Sequence, residues 1–137
     1  MVFDFLQPVS ESFEDFLQSL SNQTLGKKVV FHTKTDFPIL DNVSIALFTV
    51  NEYRGSNKDN FDFSFDNFRK NFYSLYPGNW NTSIVDLGNI EAGASVEDTY
   101  FVVKSLVAEL IKKRIIPVVI GGNQDLTYSM YRAYDNL

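Results

Sequence analysis

Cysteine is missing from all 137 residues, which excludes disulfides and thiolate metal sites. Histidine is nearly missing too: His32 stands alone, and no Ser, Cys or second His is patterned around it as a catalytic pair would require. It reads as a structural or surface residue. No apolar run approaches the roughly 18 residues of a membrane-crossing helix. Positive charge is in short supply, with 12 Lys and Arg against 17 Asp and Glu, a net charge of -5 and a pI near 4.7. Nucleic acid and anionic membrane surfaces are therefore poor partners, because phosphate binding needs clustered cations. Met1 to Phe5 has no basic n-region of the kind that opens a secretory leader. Together with the lack of cysteine, this suits a cytoplasmic protein. Internal repeats and low-complexity stretches are absent as well.

What the chain does have is aromatic content, 15% with 13 Phe, and enough length for one domain with a real core. Ser10 is placed to cap a short helix in which Phe13, Phe16, Leu17 and Leu20 form an apolar stripe. Residues Ser21 to Lys28 read as a loop, and Val29 to Phe31 as a short strand. Val43 to Val50 is apolar enough for a strand covered on both faces, as in a parallel sheet. A polar stretch, Asn51 to Asp62, follows, in which Asp59 and Asp62 read as solvated loop charge. Phe65, Phe68, Phe72 and Leu75 then recur at helical spacing, and Pro77-Gly78-Asn79 signals a turn. Ser83 to Gly88 reads as a second core strand ending at its glycine. Ser95 and Asp98 make a capping-box pattern for a helix whose Val96, Tyr100, Val103, Val107 and Leu110 share a face. Its first turn carries Glu97 and Asp98 and its last turn Lys112, Lys113 and Arg114, so both ends complement the helix dipole. Ile116 to Ile120 is the third core strand, with Pro117 near its start, where a missing donor is tolerated. Tyr128, Tyr131 and Tyr134 follow at helical spacing and read as a packing stripe.

Alternation of strand and helix implies right-handed parallel crossovers. The carboxyl ends of the three core strands then share one rim, where ligands bind in open α/β sheets. That rim collects Asn51, Glu52 and Arg54, then Asn89 and Glu91, then Gly121, Gly122, Asn123, Gln124 and Asp125. Two readings of the Gly121-Gly122 turn stand side by side. Glycines allow close backbone approach to a ligand, and the helix that follows offers free amides to an anion. Equally, the glycines make a tight turn and Asp125 caps the helix. Glu91 follows a core strand, although a surface carboxylate is its ordinary role.

The run Pro117-Val118-Val119-Ile120-Gly121-Gly122-Asn123-Gln124-Asp125-Leu126-Thr127 resembles the first metal motif of the ureohydrolases, the arginase, agmatinase and formimidoylglutamase family. The likeness extends loosely over Val43 to Tyr134, and the Asn-Gln-Asp-Leu-Thr-Tyr version looks most like formimidoylglutamase-type or arginase-like proteins. It implies a three-layer α/β/α sandwich with a mainly parallel sheet, of which residues 1–137 would form a single N-terminal segment, with 1–42 an extension packing on it. It also implies two Mn2+ ions activating a water that attacks a guanidino or formimino carbon of a small-molecule substrate. Here the family's metal-binding His is replaced by Gln124, whose neutral amide oxygen is a poorer ligand than imidazole. Asp125 is the one charged ligand candidate in the motif. The family's Asp-x-His-x-Asp and Asp-x-Asp motifs occur nowhere in the chain. The resulting expectation is an N-terminal portion of a longer metal-dependent enzyme, inactive by itself. The alternatives are a non-catalytic module of the same fold that binds a small anion or a partner protein, and an unrelated α/β module that binds a small anion at Gly121 to Asp125. The resemblance further implies that the third strand lacks its far-side neighbour, so that an edge rich in Ile and Val invites self-association.

Overall fold

The computed structural model describes residues 1–55, 64–79 and 81–135, and Asp59 and Asp62 lie outside them. Among the described residues five strands form one sheet: β1 (Leu6–Gln7), β2 (Val30–Phe31), β3 (Ile45–Asn51), β4 (Ile84–Glu91) and β5 (Ile116–Ile120). The four α-helices among the described residues are α1 (Glu11–Ser19), α2 (Phe65–Tyr73), α3 (Val96–Lys112) and α4 (Leu126–Arg132). β3 lies between β4 and β5 and is parallel to both. The protein is thus a mixed α/β chain with a mostly parallel open sheet.

Residues 1–42 contribute strands to this sheet. β2 pairs parallel with Val85 and Asp86 of β4, while β1 runs antiparallel against Asn89 and Ile90 farther along the same edge. Between them β4 bulges by one residue, since Leu47 faces Asp86 but Thr49 faces Asn89. Gly88 sits in the bulge at φ +90, and a Cβ there would collide with the Gln7 carbonyl. The glycine read as the end of the second core strand is therefore an interior bulge. The strand continues to Glu91, which places Asn89 and Glu91 on it instead of in the loop beyond.

Two apolar clusters pack against the sheet. One joins Ala46, Phe48, Val50, Val85 and Leu87 to Val103, Leu106, Val107 and Leu110 of α3 and to Leu126 and Ala133 at α4. The other joins Phe13 of α1 and Tyr73 of α2 to Leu25, Val29 and Phe31. Capping follows sequence logic: Ser10 accepts from the Phe13 amide, and Ser95 with Asp98 closes a complete capping box. The buried face of α3 is Thr99, Val102, Val103, Leu106, Val107 and Leu110, with Tyr100 only half-buried.

Helix α2 departs most from expectation. Its buried residues are Arg69 and Tyr73, whereas Phe68 and Phe72 are half-buried and Leu75 lies past the helix and is exposed. The cause is Asp86, fully buried in the middle of β4. A buried carboxylate requires a partner, so the polar residues of α2 turn inward and the phenylalanines move to the flank. Helix α4 likewise buries Leu126 and Ser129, while Tyr128, Tyr131 and Tyr134 are exposed. The tyrosines do not pack, because the residues that meet α3 alternate with them around the helix.

Candidate functional site

The three parallel strands bring their carboxyl ends to one rim, where several of the rim side chains are held by contacts from neighbouring elements. Asn51 and Glu91 are register partners at the ends of β3 and β4. The Asn51 amide donates to Glu91 Oε2 at 2.9 Å, on an exposed stretch of the rim. One residue on, Glu52 turns inward and is fully buried. Its carboxylate accepts from the Arg54 guanidinium through Nη2 at 2.7 Å and Nε at 3.0 Å, from the Arg54 amide at 3.0 Å, and from Thr99 Oγ1 at 2.8 Å.

Arg54 continues the bracing by donating to the carbonyls of Gly93 and Ala94, at 2.8 and 3.2 Å. Thr99 in turn accepts from the Gly93 amide. The loop after β3 is thereby tied to the loop after β4 and to the first turn of α3. The Arg54 hydrogen bonds outweigh the cost of burial and hold the Glu52 carboxyl at about 2, well below its ordinary 4.5. Glu52 is anionic, saturated with donors, and shielded from solvent.

The Gly-Gly turn completes the rim. Gly121 and Gly122 have φ of +82 and +72, a conformation that side chains resist. A Cβ on Gly121 would also meet the Phe65 ring, and one on Gly122 the Leu126 side chain. Asn123 donates to the Tyr53 carbonyl at 2.9 Å, which links this turn to the β3 loop. Gln124 is exposed. Asp125 occupies the position before α4 but makes no capping hydrogen bond. Its Oδ2 instead accepts from the Tyr100 hydroxyl of α3, and its Oδ1 is buried without a hydrogen-bond partner. The capping role read for Asp125 is corrected accordingly: the carboxylate is drawn sideways to the neighbouring helix. Acceptance by Asp125 pushes the Tyr100 phenol up to about 12. Gly55 abuts the same carboxylate so closely that a Cβ would overlap it. Tyr100→Phe should lower stability by about 1 kcal/mol, the net worth of one such hydrogen bond. Urea unfolding reads this directly, and an unchanged midpoint would show that the contact contributes nothing.

Of the ten rim residues singled out from the sequence, nine, Asn51, Glu52, Arg54, Glu91, Gly121, Gly122, Asn123, Gln124 and Asp125, lie at or just past the carboxyl ends of β3, β4 and β5, whereas Asn89 lies inside β4, its side chain engaged with Thr49, Arg69 and the Pro8 carbonyl. Their side chains divide among separate contacts and do not converge. Thr99, Gly93 and Tyr100 are the partners that sequence reasoning missed in this role. The available signal was a pair of hydroxyl residues in the first turns of α3, directly after the capping box. Beside the rim, a cleft of about 480 Å³ opens between the β1 region and the start of α3, lined among others by Gln7, Ile90, Glu91, Gly93, Asp98 and Thr99. His32 lies away from the rim, with Nδ1 2.9 Å from the Leu87 carbonyl and its ring against Phe37.

A manganese site is not assembled from these residues. Among the described residues, no group of three His, Asp or Glu side chains could hold a metal ion. Gln124 offers a neutral amide, Glu52 is saturated by Arg54 and Thr99, and Asp125 is engaged by Tyr100. Among the described residues, too, no helix is long and apolar enough to cross a membrane.

Comparison with known proteins gives one informative similarity. The chain is 35% identical over 65 residues, 46% of its length, to an uncharacterized 32.2 kDa protein in the hmfB 3' region of Methanothermus fervidus. The matched stretch spans 23% of that archaeal protein. No family model matches, and no solved structure matches.

Proposed function

We propose that this chain is the N-terminal α/β segment of an arginase- or formimidoylglutamase-like ureohydrolase, arranged as part of a three-layer α/β/α sandwich. In this reading the full-length protein hydrolyses a guanidino or formimino C–N bond with Mn2+, and the present segment shapes the pocket without supplying the metal site. One observation carries the proposal. The Gly121-Gly122 turn sits at the carboxyl end of a parallel strand, tied by Asn123 to the loop after β3 and next to the braced Glu52–Arg54 pair. Such a rim is where open α/β sheets bind their ligands. Because the residues present do not fit a manganese site, no catalytic step is assigned to them, and the segment alone is expected to be inactive.

A non-catalytic module of the same fold is the second reading, favoured by the exposed neutral Gln124. An anion-binding module finds less support, since α4 has only seven residues and the Asp125 carboxylate stands at its start. Reading the gene beyond the codon for Leu137 and assaying its product with Mn2+ separates these. Asp-x-His-x-Asp and Asp-x-Asp downstream, with metal-dependent release of urea from a guanidino substrate or formamide from a formimino one, is the expected result. A continuation without those carboxylates, or an inert product carrying them, would overturn the enzyme reading.

A further inference from the structure

Helices α3 and α4 lie side by side, and a small cleft of about 200 Å³ opens between them. α3 contributes Tyr100, Phe101 and Lys104, and α4 contributes Tyr128, Ser129 and Arg132. Each set follows the same i, i+1, i+4 spacing, which keeps its three side chains on one side of the helix. Three rings form the walls, and three polar groups are left for a ligand. Ser129 is 5% exposed, yet its hydroxyl has no hydrogen-bond partner among the described residues. A buried hydroxyl without a partner is costly, and the cleft is the space it borders. Lys104 is half-buried and makes no ion pair among the described residues. Arg132 uses Nη1 for the Tyr128 hydroxyl and Nε for Asp135, with its guanidinium over the Tyr128 ring, which leaves Nη2 to donate. The two carboxylates that touch these residues are engaged, Asp135 by Arg132 and Asp125 by Tyr100.

We infer that this cleft binds a small organic carboxylate, a short apolar body carrying one anionic head. Lys104 and Arg132 take the carboxylate through charge-assisted hydrogen bonds, Ser129 donates to it, and the Tyr100, Phe101 and Tyr128 rings enclose the body. Phosphate is the poorer match, since two cations and one hydroxyl leave much of its oxygen surface without donors and the rings would face nothing apolar. In a chain of net charge -5, an anion is drawn to such a place only by local cations. Neither the ureohydrolase reading nor a metal enters the argument, and both walls of the cleft come from α3 and α4 themselves.

The test uses benzoate, with benzamide as its neutral analogue and inorganic phosphate as a compact anion, titrated by calorimetry into this chain and into the product of the whole gene. Benzoate should bind both saturably, with benzamide and phosphate at least about tenfold weaker. Lys104→Met and Arg132→Met should each weaken benzoate at least about tenfold, the loss of one charge-assisted bond. Lys112→Met, which removes a cation farther along α3, should leave it unchanged. Ser129→Leu fills the cleft and should abolish binding; if that buried variant does not fold, the half-buried Lys104 position still decides. Absence of saturable benzoate binding by the chain would overturn the inference. So would binding by the chain but not by the whole product, since the rest of the protein would then fill the cleft. Equal losses from Lys104→Met and Lys112→Met would show diffuse charge in place of a site, and benzamide or phosphate binding as tightly as benzoate would overturn the ligand class.

Discussion

Arg69→Met should destabilise the protein by about 3–5 kcal/mol, the range for breaking a buried ion pair from one side. Arg69 and Asp86 both have fully buried side chains. The guanidinium donates Nε and Nη2 to the two Asp86 oxygens at 2.8 and 3.0 Å, Nη1 to Asn89 Oδ1 at 2.7 Å, and Nη2 again to the Gly88 carbonyl. Asp86 also accepts from the Tyr73 hydroxyl and the Gly88 amide. Burial, with the Asp86 charge alongside, pushes the Tyr73 phenol far above its ordinary value, so that it stays a donor. Methionine fills the space of the Arg stem but leaves a carboxylate in the core with two donors where it had four. Urea unfolding measures the loss, and a cost under about 1 kcal/mol would mean that water or a repacked neighbour replaces the guanidinium. Combining Arg69→Met with Asp86→Leu removes both charges, and the double variant should be less damaged than the sum of its parts.

That network also decides how the site is built. Asn89 accepts from Arg69 and Thr49 and donates to the Pro8 carbonyl. α2, β3, β4 and the segment after β1 are thus locked together one turn of side chains below the rim. The rim loops rest on this buried polar layer. A pocket that must hold a small ligand benefits from such a floor.

Much of this order was legible in the chain. The apolar runs at Val43, Ser83 and Ile116, the caps at Ser10 and Ser95, and the glycine pair after β5 are local signals, and the structure places strands, helices and a positive-φ turn there. Pairing partners are not local. Nothing in the two residues of β1 marks them as an antiparallel addition to the end of β4, and Gly88 reads as a strand end until the Gln7 carbonyl is seen pressing against it. Arg69 could not be set inward from periodicity, because the phenylalanines of α2 supply the stronger apolar pattern. Only the lone carboxylate at Asp86, inside an otherwise apolar strand, hinted that a cation had to come to it. At the rim, position was legible and partnership was not. Asp125 has the composition of a helix cap, yet the hydroxyl of Tyr100 from a different helix claims it.

Glu52 carries the prediction most specific to the rim. Its carboxyl is held at about 2 when folded, against an ordinary 4.5. A lowered folded pKa means that ionisation favours the folded state, so the contribution is fully present above about pH 4.5 and is lost as the pH falls toward 2. Glu52→Gln should therefore cost about 2–3 kcal/mol at neutral pH, a charge-assisted pair discounted for the solvent that reaches Arg54. The gap between the variant and the parent should narrow through that acid window, since the parent loses what the variant never had. Arg54→Met leaves the Thr99 and backbone donors in place and should move the acid limb of the stability profile to higher pH, because the largest cause of the depression is gone. Denaturation followed from pH 7 to pH 2 for the three proteins checks both. A Glu52→Gln profile parallel to the parent throughout would show that the carboxylate is not held by this pair. The rim would then be braced by Asn123 and the Tyr100–Asp125 contact instead, and Glu52 would be free for a ligand.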